Sequence, residues 1–286
     1  HVDFDKFALG VTRFMVGFGK KVLLANTFAE AVDKVFSIPG LDISTAMAWY
    51  GMLLYSMQIY FDFSGYSDMA IGLGKMFGFD FLENFDFPYL SASIREFWRR
   101  WHISLSTWFK EYLYIPLGGN RKGKLRTYIN LIIVFFATGF WHGAGWSFVL
   151  WGLIHGAFSI LERLFLGKVL DKGGAMRYLS HVYCLIVVGL SWVLFRAEDL
   201  GLAMSYYGTM FSLRESMSYG FLEIFDRECI AFSIVGILLC GVISPAVQLK
   251  IRESALFKSV LLPIIFFFGV CFLISGSYNP FIYFRF

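Results

Sequence analysis

Two histidines are the groups in this sequence best suited to moving a proton. His102 lies in the basic segment REFWRRWHISLSTWF, and His142 lies further along in GFWHGAGW. His142 falls in the middle of residues 127–161, a stretch without Asp, Glu, Lys or Arg. An ionisable side chain in such a stretch predicts a functional site. The alternative is a core histidine that is hydrogen-bonded between two helices, and the pattern alone leaves both interpretations open.

The segment around His102 carries cations at helical spacing. If residues 95–110 form one helix, steps of about 100° place Arg95 and Arg99 on the same stripe as His102. The two guanidinium groups could then bind the phosphates of an anionic donor bidentately. The alternative is a helix that lies in the membrane interface, with its tryptophans at the headgroup level and a histidine of no chemical consequence.

The motifs of several other chemistries are absent from the sequence. It contains no GxSxG elbow, no HExxH motif, no Cys/His metal cluster and no phosphate-binding glycine loop. We therefore expect no metal and no bound cofactor. Proton transfer at histidine suits acyl transfer from a thioester to a hydroxyl, in which a base removes the hydroxyl proton and nearby donors stabilise the oxyanion.

Composition predicts an all-α integral membrane protein. Hydrophobic residues make up 57% of the chain, charged residues 16%, and the mean hydropathy is +0.62, far above a soluble domain. The net charge of +4 comes mainly from loops, so it reports orientation in the membrane and not nucleic-acid binding. Since no repeat or linker divides the sequence, we expect residues 1–286 to form a single membrane domain.

Uncharged segments of sufficient length predict the membrane crossings. Residues 1–35 are predicted to form an interfacial or partly buried helix, and residues 196–228 a mixed acidic loop. The predicted crossings are residues 43–61, 178–195, 229–249 and 259–284, the last broken at Pro263. Within 63–79, Gly65, Gly72 and Gly74 would allow close helix approach, and Asp68 and Lys75 would share one face as a charge pair.

Lysine and arginine counts predict that residues 127–161 enter the membrane and return on the same side. The basic residues of 95–126 and of 163–177 both favour the cytoplasm. As one helix, the intervening stretch would be about 52 Å long, too long for a single crossing but suited to two short limbs. We expect the break at residues 139–145, which places His142 at the bend.

Four segments resemble one known family. They are QIYFDFSGYSDMAIGLGKMFGF, ENFDFPYLSASIREFWRRWHISLSTWFKEYLYIPLGGNRKG, FWHGAGWSFVLWGLIHG and the terminal NPFIYFRF. Together they resemble the membrane-bound O-acyltransferases (MBOAT), and within them the alginate O-acetyltransferase branch of bacterial polysaccharide acetylators. The resemblance implies a multi-helix bundle around a funnel or tunnel, with His142 as the catalytic residue and His102 as its partner. Since the family is longer than this chain, we expect a C-terminal fragment that lacks N-terminal helices.

The resemblance also implies a substrate pair. Acetyl would pass from a cytoplasmic thioester such as acetyl-CoA to an alginate-like exopolysaccharide, or to a partner acetyltransferase, across the bacterial inner membrane and with the help of periplasmic acetylation proteins. Arg95, Arg99, Trp141 and Asp68 are the candidate donor- or substrate-binding residues. Two alternatives stay open: transfer of D-alanine or another acyl group to a cell-wall polymer, and a non-catalytic transport or assembly subunit.

Overall fold

The computed structural model describes residues 3–170, 173–216 and 218–275. Within these ranges the chain is helical and contains no strand, which confirms the all-α prediction. Cα proximity divides the chain into two compact units, His1–Glu83 with Arg214–Phe286 (unit 1) and Asn84–Leu213 (unit 2). The single membrane domain stays a prediction. The terminal motif NPFIYFRF lies outside the described residues.

Fourteen α-helices are described, several of them joined by π-helical turns. The α-helices are α1 (Phe4–Gly19), α2 (Asn26–Ser37), α3 (Thr45–Met76), α4 (Ile94–Arg100), α5 (Ile103–Phe109), α6 (Lys124–His142), α7 (Trp146–Leu161), α8 (Gly167–Leu170), α9 (Ala175–Arg196), α10 (Leu200–Phe211), α11 (Phe221–Ile224), α12 (Arg227–Ile237), α13 (Pro245–Glu253) and α14 (Leu262–Ser275). The π-helical turns are Lys20–Ala25, Lys110–Tyr114, Glu162–Leu166, Leu238–Val242 and Phe257–Leu261.

In unit 1, α1 and α3 touch backbone to backbone. A Cβ added to Gly17 would lie 2.6 Å from the Gly65 carbonyl oxygen, and one added to Gly72 would lie 2.7 Å from the Gly10 carbonyl oxygen. Small residues permit this approach, so the predicted roles of Gly65 and Gly72 are confirmed. Gly74 instead makes room for the Phe81 ring, which a Cβ would meet at 2.6 Å.

The predicted charge pair between Asp68 and Lys75 is wrong. The two oxygens of Asp68 pair with Arg13 at 2.6 Å and Lys20 at 2.7 Å, while Lys75 pairs with Asp80 at 3.2 Å. The Asp68 side chain is only 5% exposed, and a buried carboxylate requires close cationic partners. Because α1 packs against α3, Arg13 of α1 and Lys20 of the π-helical turn that follows it supply them. Sequence spacing on α3 alone could not reveal this.

Three of the described helices are long and apolar enough to cross a membrane: Trp146–Leu170, Ala175–Arg196 and Phe257–Ser275. The second contains the segment predicted to cross at 178–195. Most of residues 43–61 and of the next segment, 63–79, lies in the single 32-residue helix α3, which is not among the three. The last helix, Phe257–Ser275, continues through Pro263 without a break, and a π-helical turn directly precedes this proline.

The segment predicted to cross at 229–249 is bent. The helices Arg227–Val242 and Pro245–Glu253 meet at an angle of 109°, so they could form at most one broken span. Gly241 has φ 145 at the end of the first helix, and Pro245 begins the next one, where its missing N–H costs nothing.

Helices α6 and α7 of unit 2 form the predicted hairpin. Helix α6 ends at His142 and α7 begins at Trp146, so the break lies within the predicted residues 139–145. The limbs cross closely, because a Cβ added to Gly152 would overlap the Phe135 carbonyl oxygen. The predicted acidic loop at 196–228 contains a 12-residue helix, α10.

Candidate active site

The helix predicted for residues 95–110 is interrupted at His102. Helix α4 ends at Arg100 and α5 begins at Ile103, and His102 between them has φ 45 and ψ 57 in the left-handed region. Arg95 and Arg99 therefore do not share a helical stripe with His102, and that prediction is wrong. The segment before α4 holds the bend: the Ile103 N–H donates to the Asn84 carbonyl oxygen at 3.0 Å, and the Asp86 N–H donates to the Arg100 carbonyl oxygen at 3.0 Å.

The imidazole of His102 is buried beside two polar side chains. Its Nδ1 lies 3.3 Å from Asn84 Oδ1 and 3.3 Å from Ser104 Oγ, and its surface is 8% exposed. Burial lowers the pKa of His102 to about 4, because a charged imidazole loses its hydration there. The ring is therefore neutral near pH 7 and can act as a base.

His142 ends helix α6 inside a cluster of aromatic rings. Its ring centroid lies 4.9 Å from that of Trp141, 5.1 Å from that of Trp151 and 5.1 Å from that of Phe195. All three contacts are edge-to-face, the arrangement that aromatic quadrupoles favour. The residue is 9% exposed. The rings hold the imidazole in one orientation and keep its surroundings largely free of water.

Trp141 links the two histidines. Its ring centroid lies 6.1 Å from that of His102 and 4.9 Å from that of His142, and the histidines are close enough to interact electrostatically. The structure thus brings together three predicted site residues from opposite sides of a polar loop. In the part of the chain that the structure describes, no group of three His, Cys, Asp or Glu side chains could hold a metal ion.

Arg95 lies on α4 and pairs with a buried carboxylate. Its Nε is 3.5 Å from Glu162 Oε2, and the same carboxylate accepts the backbone N–H groups of Ile94 at 2.6 Å and Arg95 at 3.2 Å. A carboxylate at a helix N-terminus is favourable. Glu162 was not identified from the sequence and it fixes where α4 begins. Arg99 is exposed, and its Nε lies 3.4 Å from the Arg95 carbonyl oxygen.

A cationic cavity of about 510 Å³ adjoins Arg95 in unit 2. Its lining includes Arg95, Lys124, Arg163 and Lys168, with Glu162 as a carboxylate. Arg99 does not line it. Lys124 lies at the start of α6, Arg163 in the turn after α7 and Lys168 in α8, all far from Arg95 in sequence. A surplus of positive charge around a cavity of this size suits a phosphate-bearing ligand.

Asp68, the remaining predicted site residue, belongs to unit 1. Its carboxylate is held by Arg13 and Lys20. Asn84 was missed by sequence reasoning, although it lies in the segment ENFDFPYL that precedes α4. No local spacing rule marks a residue that acts 18 positions further along the chain.

The chain belongs to the membrane-bound O-acyltransferase (MBOAT) family, whose model matches residues 2–209. It is 53% identical over 208 residues to the probable alginate O-acetylase of Azotobacter vinelandii, an alignment that covers 73% of this chain and 41% of the relative. A peptidoglycan O-acetyltransferase of Helicobacter pylori is 44% identical over 214 residues, covering 74% of this chain and 40% of the relative. The chain thus spans about two fifths of the length of these curated relatives.

A more distant relative is named for the transfer of D-alanine and not of acetyl. The teichoic acid D-alanyltransferase of Streptococcus thermophilus is 32% identical over 176 residues, which cover 55% of this chain and 40% of the relative. His102, Trp141 and His142 all lie within the residues matched by the family model.

Proposed function

We propose that this chain forms the catalytic part of a membrane O-acetyltransferase. The observation that carries the proposal is the contact of Trp141 with two buried imidazoles, those of His102 and His142, in an MBOAT chain. Acetyl passes from a cytoplasmic thioester such as acetyl-CoA to a hydroxyl of an extracytoplasmic polysaccharide, or to a partner acetyltransferase that completes the transfer.

His142 acts as the general base. It accepts the proton of the acceptor hydroxyl while the oxygen attacks the thioester carbonyl and the new C–O bond forms. The C–S bond then breaks, and the thiolate takes up the proton from His142. His102, neutral because burial lowers its pKa, assists at the acyl donor. Such proton transfers contribute about 10²–10⁴-fold to a rate.

The cationic cavity holds the phosphates of the donor. Arg95 is oriented toward this role by its ion pair with Glu162, and Lys124, Arg163 and Lys168 add positive charge. Arg99 serves as a further phosphate contact from outside the cavity. Trp141 takes part in donor or substrate binding, whereas the carboxylate of Asp68 is held by Arg13 and Lys20.

The distribution of cations supports a location in the bacterial inner membrane, with several crossings. Three cavity cations flank the α6–α7 hairpin, and basic residues next to membrane segments favour the cytoplasmic side. A donor from the cytoplasm would meet these residues first. The acceptor is an alginate-like exopolysaccharide on the opposite side, where periplasmic acetylation proteins are the expected partners.

A second acyl group is a candidate because a D-alanyltransferase is among the relatives. The same two histidines could transfer D-alanine to a cell-wall polymer by the same chemistry. The relatives named as O-acetylases are more similar to this chain than that relative is, at 53% against 32% identity, so acetyl is the acyl group we propose.

The test is polymer acetylation in cells that express the full-length protein with His142→Ala. We expect acetylation to fall by about 10²-fold or more, with membrane level and partner association unchanged. The matched control is His181→Ala, which alters a half-buried histidine bonded to the Ser91 carbonyl oxygen. Acetylation near the unmodified level in His142→Ala would refute the catalytic role and favour a transport or assembly subunit.

A further inference from the structure

We propose that Asn84 is a positioning residue that fixes the tautomer of His102, so that Nδ1 carries the hydrogen and Nε2 is the basic nitrogen. The inference rests on the proposed function, because it assigns the reactive atom of a histidine that the function already uses. It adds a residue that lies outside the helices of the site and that makes its contacts through a side-chain amide.

The orientation of the Asn84 amide follows from a backbone donor. The Ser104 N–H lies 3.1 Å from one terminal atom of the Asn84 side chain. Because a backbone N–H can only donate, that atom is the oxygen Oδ1 and not the nitrogen. The Ser104 hydroxyl reinforces the assignment by donating to the same oxygen at 2.9 Å.

The tautomer of His102 follows from the amide. Asn84 Oδ1 lies 3.3 Å from His102 Nδ1, and an amide oxygen has no hydrogen to give. Nδ1 must therefore donate. The Ser104 hydroxyl, which also lies 3.3 Å from Nδ1, directs its single hydrogen to Asn84 and can only accept from the ring. Both contacts require hydrogen on Nδ1 and leave the lone pair on Nε2.

Asn84 also stabilises the backbone conformation next to His102. Its carbonyl oxygen accepts the Ile103 N–H at 3.0 Å, next to a histidine whose φ of 45 is unfavourable for a residue with a Cβ. Such conformations persist where the surroundings over-determine them, and they occur often in active sites. Substituting the side chain leaves this backbone bond in place, so the two contributions of Asn84 can be separated.

Titratable groups lie on two elements next to His102. At the end of α6, His142 interacts with it. On the segment before α4, Asp86 pairs with Arg100 at 3.1 Å, while burial lowers the pKa of His102. A carboxylate introduced at position 84 would therefore be a new charge in direct contact with the ring.

The experiment compares Asn84→Asp and Asn84→Ala in the full-length protein, with Ser106→Ala as a control on the same bend. Two quantities are measured: the pH profile of acetyl transfer, and the tautomer of His102 by ¹⁵N-histidine NMR, assigned by difference from His102→Gln. Asn84→Asp should raise the acid limb of the profile by about 1–3 pH units, because an adjacent carboxylate favours the imidazolium. Asn84→Ala should lower kcat by about 10–100-fold with a smaller change in KM and populate both tautomers.

Two results would overturn the inference. One is an Nδ1–H population in Asn84→Ala equal to that of the unmodified protein. The other is a pH profile of Asn84→Asp that coincides with that of Ser106→Ala. If Asn84→Ala does not fold, the pH profile of Asn84→Asp still tests the inference, because the aspartate retains an oxygen that accepts the hydrogen bonds from Ser104. If His102→Gln and His142→Ala both retain acetylation, the proposed function fails, while the NMR measurement continues to report on Asn84 alone.

Discussion

The indole Nε1 of Trp98 donates a hydrogen bond to Nδ1 of His155 at 3.2 Å. The other nitrogen, His155 Nε2, lies 2.9 Å from Ser191 Oγ, whose own hydrogen goes to the Val188 carbonyl oxygen. Both nitrogens of this fully buried histidine are thus used inside the protein. His155 packs on Trp151, as His142 does, yet its contacts are those of a structural residue. His155 is therefore a core histidine.

Replacement of His155 should therefore affect stability first. His155→Leu leaves the Trp98 indole N–H without its acceptor, and we expect it to lower the free energy of unfolding by roughly 1–3 kcal/mol. Thermal unfolding of the detergent-solubilised full-length protein measures this, with His181→Leu as the control. A variant of unchanged stability that loses acetyl transfer would instead give His155 a chemical role.

Burial of His102 predicts a pH-dependent stability. Its pKa falls from 6.5 in the unfolded chain to about 4 in the folded protein. Between these values the unfolded chain binds a proton that the folded protein does not, so the free energy of unfolding decreases as the pH falls through this window. The full contribution is roughly 3 kcal/mol. The difference in unfolding free energy between the unmodified protein and His102→Gln should decrease as the pH falls through this window. A difference that does not change with pH would contradict the prediction.

Glu162→Gln should loosen the donor site. The substitution removes the charge that caps α4 and pairs with Arg95, and it weakens the bond from the Tyr183 hydroxyl at 3.2 Å. We expect a loss of about 1–3 kcal/mol in stability and a KM for the acyl donor that rises more than kcat falls.

The control for this prediction is Glu96→Gln, which alters a half-buried carboxylate on α4 that pairs with Arg100 and does not line the cavity. Its effect on donor KM should be small. Equal effects of the two substitutions would show that Arg95 does not depend on Glu162 for donor binding.

Alanine at two helical glycines should change stability in opposite directions. In Gly72→Ala, the new Cβ lies 2.7 Å from the Gly10 carbonyl oxygen and 2.7 Å from Phe14 N, so we expect a loss of about 1–3 kcal/mol. Gly208 on α10 has nothing within 4 Å of an added Cβ. There the substitution should stabilise by about 0.5–1 kcal/mol, because alanine favours the helix. Similar shifts in unfolding temperature for both variants would argue against the close contact of α1 and α3.

Much of the fold could be predicted from the sequence because its signals are local. The bend at 139–145 follows from three glycines in an uncharged stretch flanked by basic residues, and Gly65 and Gly72 mark the contact of α3 with α1. The proposal for His142 likewise starts from its isolation in an apolar stretch. For the bend and the helix contact, the residues that are recognisable in the sequence are themselves the ones that form them.

The failed predictions share a physical cause. The helix through His102 breaks because the Asn84 carbonyl oxygen accepts the N–H of Ile103. Asp68 pairs with Arg13 of α1 and with Lys20 just after α1 and not with Lys75. Helical periodicity describes neighbours three or four positions apart. It contains no information on partners that folding brings from 18 to 55 residues away. The cationic cavity was missed for the same reason.

The backbone contact of α6 and α7 fixes the position of His142 along α7. Where Gly152 meets the Phe135 carbonyl and Gly139 meets the Phe148 carbonyl, a slide of one limb by a helical turn of about 5.4 Å would drive side chains into main chain. The two limbs can therefore move only together, and the hairpin does not shift its own histidine from one end to the other. Under the proposed function, an acyl group would have to reach an imidazole that keeps its place between these two helices.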